Sequence, residues 1–162
     1  MNRETAQSVG PVAHGSSDDP DLLDFSANTN PRTPPGVADV YETALQTAKS
    51  YPAEPPSEYR EAAGAYVGVA PESVVPTPGG LAAIRLAIAL AVEPGDSALV
   101  PAPSFGEYAR EVRLQGGTPT FVPPGEIAES DPSDHALAVV CNPNNPTGEA
   151  IDNETLRAFA RR

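Results

Sequence analysis

Lysine is nearly absent from this chain: nine of its ten basic residues are arginine, and Lys49 is the only lysine. Any chemistry that needs a lysine amine has one candidate. Cys141 is the only cysteine, so no disulfide can close within the chain. It sits in an apolar run and reads as a small buried hydrophobe, not a nucleophile. Positive charge is scarce against 22 acidic residues, which leaves a net charge of −12. This deficit argues against nucleic-acid partners, whose phosphates need cations, and against anionic membrane surfaces. A lysine-poor acidic surface suits a high-salt cytoplasm, where ions screen self-repulsion. Long apolar runs are missing too. The longest, 81–92, is interrupted by Arg85 and is too short to span a bilayer. No signal-peptide pattern opens the chain. A soluble cytoplasmic protein is expected.

With 162 residues, 40% of them apolar, the chain can bury one core. Its first twenty residues are polar and rich in Gly, Ser and Asp, which suggests a mobile arm. Residues 36–49 have helical spacing, with Val37, Val40, Tyr41, Ala44 and Leu45 expected inward. After a proline-rich loop (50–59), Ser57 is placed to cap a second helix. From residue 73 the pattern alternates: strand 73–77, apolar helix 79–92, strand 97–103, amphipathic helix 104–115, strand 118–122, strand 135–141, and a helix over 152–162. Gly116 and Gly117 are placed to end the amphipathic helix 104–115, since glycine accepts a left-handed cap. Asp152 or Asn153 is placed to cap the last helix. The rhythm predicts an α/β fold with an open, mostly parallel sheet flanked by helices.

In such sheets ligands bind beyond the carboxyl ends of the strands. Two stretches there have suggestive chemistry. In "TPGGLAAI" (77–84) a strand gives way to two glycines and a helix. The first-turn amides of Gly80, Leu81 and Ala82 lack intrahelical acceptors, and the helix dipole favours an anion. Gly79–Gly80 also serves a plain strand-to-helix turn, and the spacing is neither a Walker loop nor a G-x-G-x-x-G fingerprint. In "NPNNPTG" (142–148) Pro143 and Pro146 stiffen the exit from an apolar strand. That holds the carboxamides of Asn142 and Asn145 in place, and a carboxamide can donate to an anionic ring oxygen without carrying charge.

"NPNNPTG" after a strand resembles the hallmark of fold-type I, pyridoxal-phosphate-dependent enzymes of the class I/II aminotransferase superfamily. "YPAEPPSEYREAAGAYVGV" (51–69), "TPGGLAAI" and "EPGDSALVPAPSFGEY" (93–108) agree in order and spacing. The resemblance covers residues 20–162. "LLDFSANTNP" (22–31) and "PSFGEY" (103–108) are similar to the threonine-phosphate decarboxylase group of cobalamin synthesis, more than to the histidinol-phosphate aminotransferase group. The resemblance implies the N-terminal part of the large domain: an arm over 1–35 and the first half of the cofactor domain over 36–162. It implies pyridoxal 5′-phosphate as cofactor, with Gly79, Gly80 and Leu81 at its phosphate, Phe105 stacked on its ring and Asn145 on its 3′-oxygen. Tyr51 would reach the phosphate of a neighbouring subunit, which implies a homodimer. Asn28 and Tyr108 would line the pocket of a small phosphorylated, amino-acid-like substrate.

The lysine that bonds to the cofactor follows N-P-T-G in this superfamily, as does the acid at the pyridine nitrogen. Lys49 lies before the phosphate turn and matches no catalytic position. The chain is therefore expected to be a fragment without a catalytic residue, inactive as given. A truncated, non-catalytic binding paralogue is the alternative from another class.

Overall fold

The computed structural model describes every residue except Asn2, Asp18, Asn28 and Thr29. The chain divides into two compact units: residues 13–77, and residues 1–12 with 78–162.

In the larger unit, α1 is Arg3–Ser8, α4 is Gly80–Ala91, β1 is Ser97–Pro101, α5 is Glu107–Gln115, β2 is Thr118–Val122, β3 is Leu137–Ala138 and α6 is Asn153–Phe159. The three strands form a parallel sheet in the order β2-β1-β3. The pleat of β1 sorts its side chains. Ala98 and Val100 pack with Ile88 and Val92 at the end of α4 and with Ala109 and Val112 of α5. Leu99 packs on the other face with Ile127, Ala128 and Phe159 of α6. Each large side chain buried there contributes roughly 1.5–3 kcal/mol. Helices thus cover both faces, as parallel strands require. Gly116 closes α5 at φ 87°, the left-handed cap expected of it. Asp152 caps α6, accepting the amides of Glu154 and Thr155.

The last strand is shorter than the apolar run 135–141 predicts. Only Leu137 and Ala138 pair with β1, and the run is half-buried, because β3 has a single neighbour among the described strands. Ser97 helps to seat it: its Oγ lies 2.8 Å from His135 Nδ1.

In the smaller unit α2 is Val37–Thr47 and α3 is Ser57–Val67. Three expectations fail here. Residues 74–77 form no strand: Val74 is extended, but no neighbouring strand pairs with the segment among the described residues. A 3₁₀ turn at Pro71–Ser73 precedes it, pinned to α3 by Arg60, which donates to Val74 O at 2.9 Å and Glu72 O at 3.2 Å. Ser57 is not the cap. Pro56 holds that position, and the Ser57 hydroxyl turns back toward Pro55 O. The α2 face expected inward is exposed: Val40, Tyr41 and Leu45 are 67%, 72% and 64% accessible, since no described element packs over them.

Candidate functional site

Two loops leave the carboxyl ends of the sheet. One follows β1 and runs through Pro103, Ser104 and Phe105 into α5. The other follows β3 and holds Asn142, Asn144 and Asn145. Asn144 joins them. Its Oδ1 accepts from Ser104 Oγ at 2.8 Å, and its Nδ2 donates to Pro103 O at 3.0 Å and to Thr147 Oγ1 at 2.9 Å. Its backbone N–H donates to Glu149 O, and its carbonyl accepts from Gly148 N, both at 2.7 Å. Pro103 O can only accept, which fixes the carboxamide's orientation.

The three asparagines therefore have different tasks. Asn142 is occupied: its Nδ2 donates to Ile151 O at 3.0 Å and its Oδ1 accepts Ile151 N at 2.8 Å. Sequence reasoning paired it with Asn145 as a presented amide. The structure instead uses it to fold the loop back. Asn145 is exposed, and among the described residues its carboxamide has no hydrogen-bond partner. Its backbone N–H donates to Cys141 Sγ at 3.4 Å, which anchors the residue while leaving the side chain outward.

Cys141 is half-buried, not buried as its apolar run suggests, and its thiol donates to Pro143 O at 3.5 Å. It also lies against the Tyr108 hydroxyl. Burial, and then the bond to Cys141 and its charge, push the Tyr108 phenol up to about 12. Tyr108 meets Phe105 edge to face, with ring centroids 5.5 Å apart and planes at 85°. Phe105, Tyr108 and Asn145 are thus gathered at one end of the sheet.

The helix start is built by Gly79. Its φ of 90° and ψ of 163° suit glycine alone, and its carbonyl accepts the amides of Ala82 and Ala83 at 3.2 and 3.4 Å. The Gly80 and Leu81 amides precede these bonds. A Cβ built on Gly79 or Gly80 meets nothing within 4 Å, so open space lies before this helix end. Glu111 is nearly inaccessible and takes Arg85 Nε at 2.7 Å, which locks α4 to α5; Arg110 bridges to Glu107 and Glu111 at 3.3 Å each. This pair of buried acids has no counterpart in the sequence reading. The available signal was two glutamates one helical turn apart, with one arginine on the preceding helix and another beside them on the same helix.

Tyr51 is fully exposed and belongs to the smaller unit, as does Lys49, whose Nζ donates to Gln46 Oε1 at 2.8 Å. Asn28 lies outside the described residues. Among the described residues no helix is long and apolar enough to cross a membrane, and no cluster of His, Cys, Asp and Glu is arranged for a metal.

The larger unit thus holds a helix start with open space before it, an aromatic pair and an exposed carboxamide. The chain is 29% identical to a histidinol-phosphate aminotransferase of Methanosarcina barkeri, over 93% of this chain and 44% of the relative. The aspartate aminotransferase of Thermus thermophilus with maleate superposes with a TM-score of 0.81 at 26% identity, over 99% of this chain and 50% of that one. The L-threonine-O-3-phosphate decarboxylase of Porphyromonas gingivalis gives a TM-score of 0.67 at 26% identity, over 76% and 40%. The chain spans less than half the length of the M. barkeri relative and half that of the T. thermophilus enzyme. The profile of the family described as "Aminotransferase class I and II" matches residues 20–162, and the chain belongs to that family.

Proposed function

We infer that this chain is the cofactor-holding portion of a pyridoxal-phosphate-dependent enzyme that decarboxylates threonine phosphate to aminopropanol phosphate. Enzymes of its family use pyridoxal 5′-phosphate. The residues present fit that group. The Gly80 and Leu81 amides, with the α4 dipole behind them, would take its phosphate. Phe105 would pack on the ring. Asn145, with its carboxamide open, would donate Nδ2–H to the ring's 3′-oxygen without adding charge. Tyr108 keeps its proton at neutral pH and offers a hydroxyl, not a phenolate, toward substrate. Asn28 is assigned to the same pocket, and the exposed Tyr51 to the phosphate of a second copy in a homodimer. Bound pyridoxal phosphate supplies a sink for the electron pair left when a bond to the substrate's Cα breaks.

The observation that supports this reading best is the joining of the Phe105 and Asn145 loops by Asn144. The choice of decarboxylation rests on "SANTNP" (26–31) and "PSFGEY", with the likeness to the P. gingivalis decarboxylase beside them. A second reading, a histidinol-phosphate aminotransferase, is favoured by relatives such as that of M. barkeri. The test uses protein from the complete reading frame that contains this chain. It is given threonine phosphate, and separately histidinol phosphate with 2-oxoglutarate. Carbon dioxide from the first and no glutamate from the second is the expected result. Glutamate with no carbon dioxide supports the second reading instead.

Lys49, hydrogen-bonded to Gln46, is the only lysine side chain in the chain that could meet the cofactor aldehyde. Treating the 162-residue chain with pyridoxal phosphate and borohydride should leave Lys49 without a stoichiometric label by mass spectrometry. Full labelling at Lys49 contradicts the view that it has no catalytic position.

A further inference from the structure

Asn144 is 3% exposed, yet it is polar, and from the loop that presents Asn145 it bonds to the loop that presents Phe105. Both of its Nδ2 protons are used, on Pro103 O and Thr147 Oγ1, and its Oδ1 takes the Ser104 hydroxyl. Ser104 precedes Phe105, and Asn144 precedes Asn145. Any change in the gap between Ser104 and Asn144 is passed to the two presented side chains through one peptide unit on each side. A buried amide with all its donors satisfied resists displacement, because shifting it leaves a polar group unpaired out of water.

Resting on the cofactor reading above, we propose that Asn144 is a positioning residue: without touching the cofactor, it fixes the spacing of the Phe105 and Asn145 loops and so sets how tightly the chain holds pyridoxal phosphate. The chemistry of the clamp makes this specific. In Asn144→Asp the donor facing Pro103 O becomes a carboxylate oxygen, so two acceptors confront each other across the 3.0 Å that a hydrogen bond now spans. The loops are pushed apart. A buried carboxyl beside a carbonyl binds its proton more readily than usual. Acid therefore restores a donor, and with it the clamp.

The experiment is equilibrium dialysis of pyridoxamine 5′-phosphate with the 162-residue chain. This probe has no aldehyde and cannot bond to Lys49. At neutral pH N144D should bind about tenfold more weakly than wild type, the scale of one buried hydrogen bond replaced by a repulsive contact. The ratio of the two affinities, taken at each pH so that the probe's own titration cancels, should return toward one on acidification. Ser104→Ala should weaken binding and Ser104→Thr, which keeps the hydroxyl, should restore it. That pair carries the test if N144D does not fold. Ile88→Val, a core change on α4 that belongs to neither loop, should lower the melting temperature and leave affinity unchanged. Equal affinity for N144D and wild type overturns the positioning role. So does a loss that Ile88→Val reproduces, since general destabilisation then explains it. Wild-type chain that fails to retain the probe sinks the cofactor reading before any substitution, and the positioning role with it.

Discussion

Tyr108 shows how a single residue's surroundings set its chemistry. Burial disfavours the phenolate, and the neighbouring Cys141 adds to the effect, so the hydroxyl holds its proton to about pH 12. A raised folded pKa means that the folded state binds this proton more tightly than the unfolded chain, whose tyrosines titrate near 10. Tyr108's contribution to stability is therefore complete below about pH 10 and lost between about 10 and about 12. Alkaline difference absorbance of the folded protein should show one phenol titrating near the upper value, absent in Tyr108→Phe; an unchanged curve in that variant contradicts the assignment. Asn145 gives the complementary case. Its carboxamide is exposed and unpaired among the described residues, so Asn145→Ala should leave the melting temperature unchanged while weakening pyridoxamine phosphate binding by about tenfold. A drop in melting temperature with unchanged binding would mean that the side chain is structural. Asn145 was legible in the sequence because a rigid N-P-T-G turn announces it. Asn144 was not, because its partners Pro103 and Ser104 lie some forty residues away and only folding brings them into reach.

At the scale of elements, α4 depends on the conformation of one glycine. Gly79 sits at φ 90° and ψ 163°. An alanine there is strained by roughly 1–3 kcal/mol even though space for its Cβ is open. Gly80 is the first helical residue and no neighbour crowds it, so Gly80→Ala should stabilise the helix, by up to ~1 kcal/mol. Thermal unfolding should therefore separate the two, Gly79→Ala melting lower and Gly80→Ala melting at or above wild type. If both melt alike, the strained backbone at Gly79 has no energetic weight. The elements best read from sequence were those with strong local signals. Strand 118–122 appears with its expected limits, α5 ends at its glycines, and α6 starts on Asp152. Those that failed depend on partners. Residues 74–77 have strand character but no described strand beside them, and α2 has an amphipathic pattern but nothing described to pack its apolar side against. Ser57 failed for a smaller reason: it sits inside the first turn, after Pro56, and its hydroxyl donates to Pro55 O.

Across the whole molecule the dominant quantity is charge. Twelve net negative charges repel one another at low ionic strength, and the Debye length shrinks from about 30 Å at 0.01 M salt to about 3 Å at 1 M. The melting temperature should rise as potassium chloride increases over that range. A flat or falling curve contradicts adaptation of this surface to high salt. Within the larger unit, Phe105 and Asn145 lie on loops that leave one end of the parallel sheet, the end at which open α/β sheets bind ligands.

The proposed function requires that the helix start at Gly80 and the carboxamide of Asn145 serve the same small ligand. The most direct measurement is a ¹H–¹⁵N correlation spectrum of the chain titrated with pyridoxamine 5′-phosphate. The backbone amides of Gly80 and Leu81 and the side-chain amide of Asn145 should shift together, along one saturation curve. Shifts confined to one of the two places, or following two different curves, would contradict it.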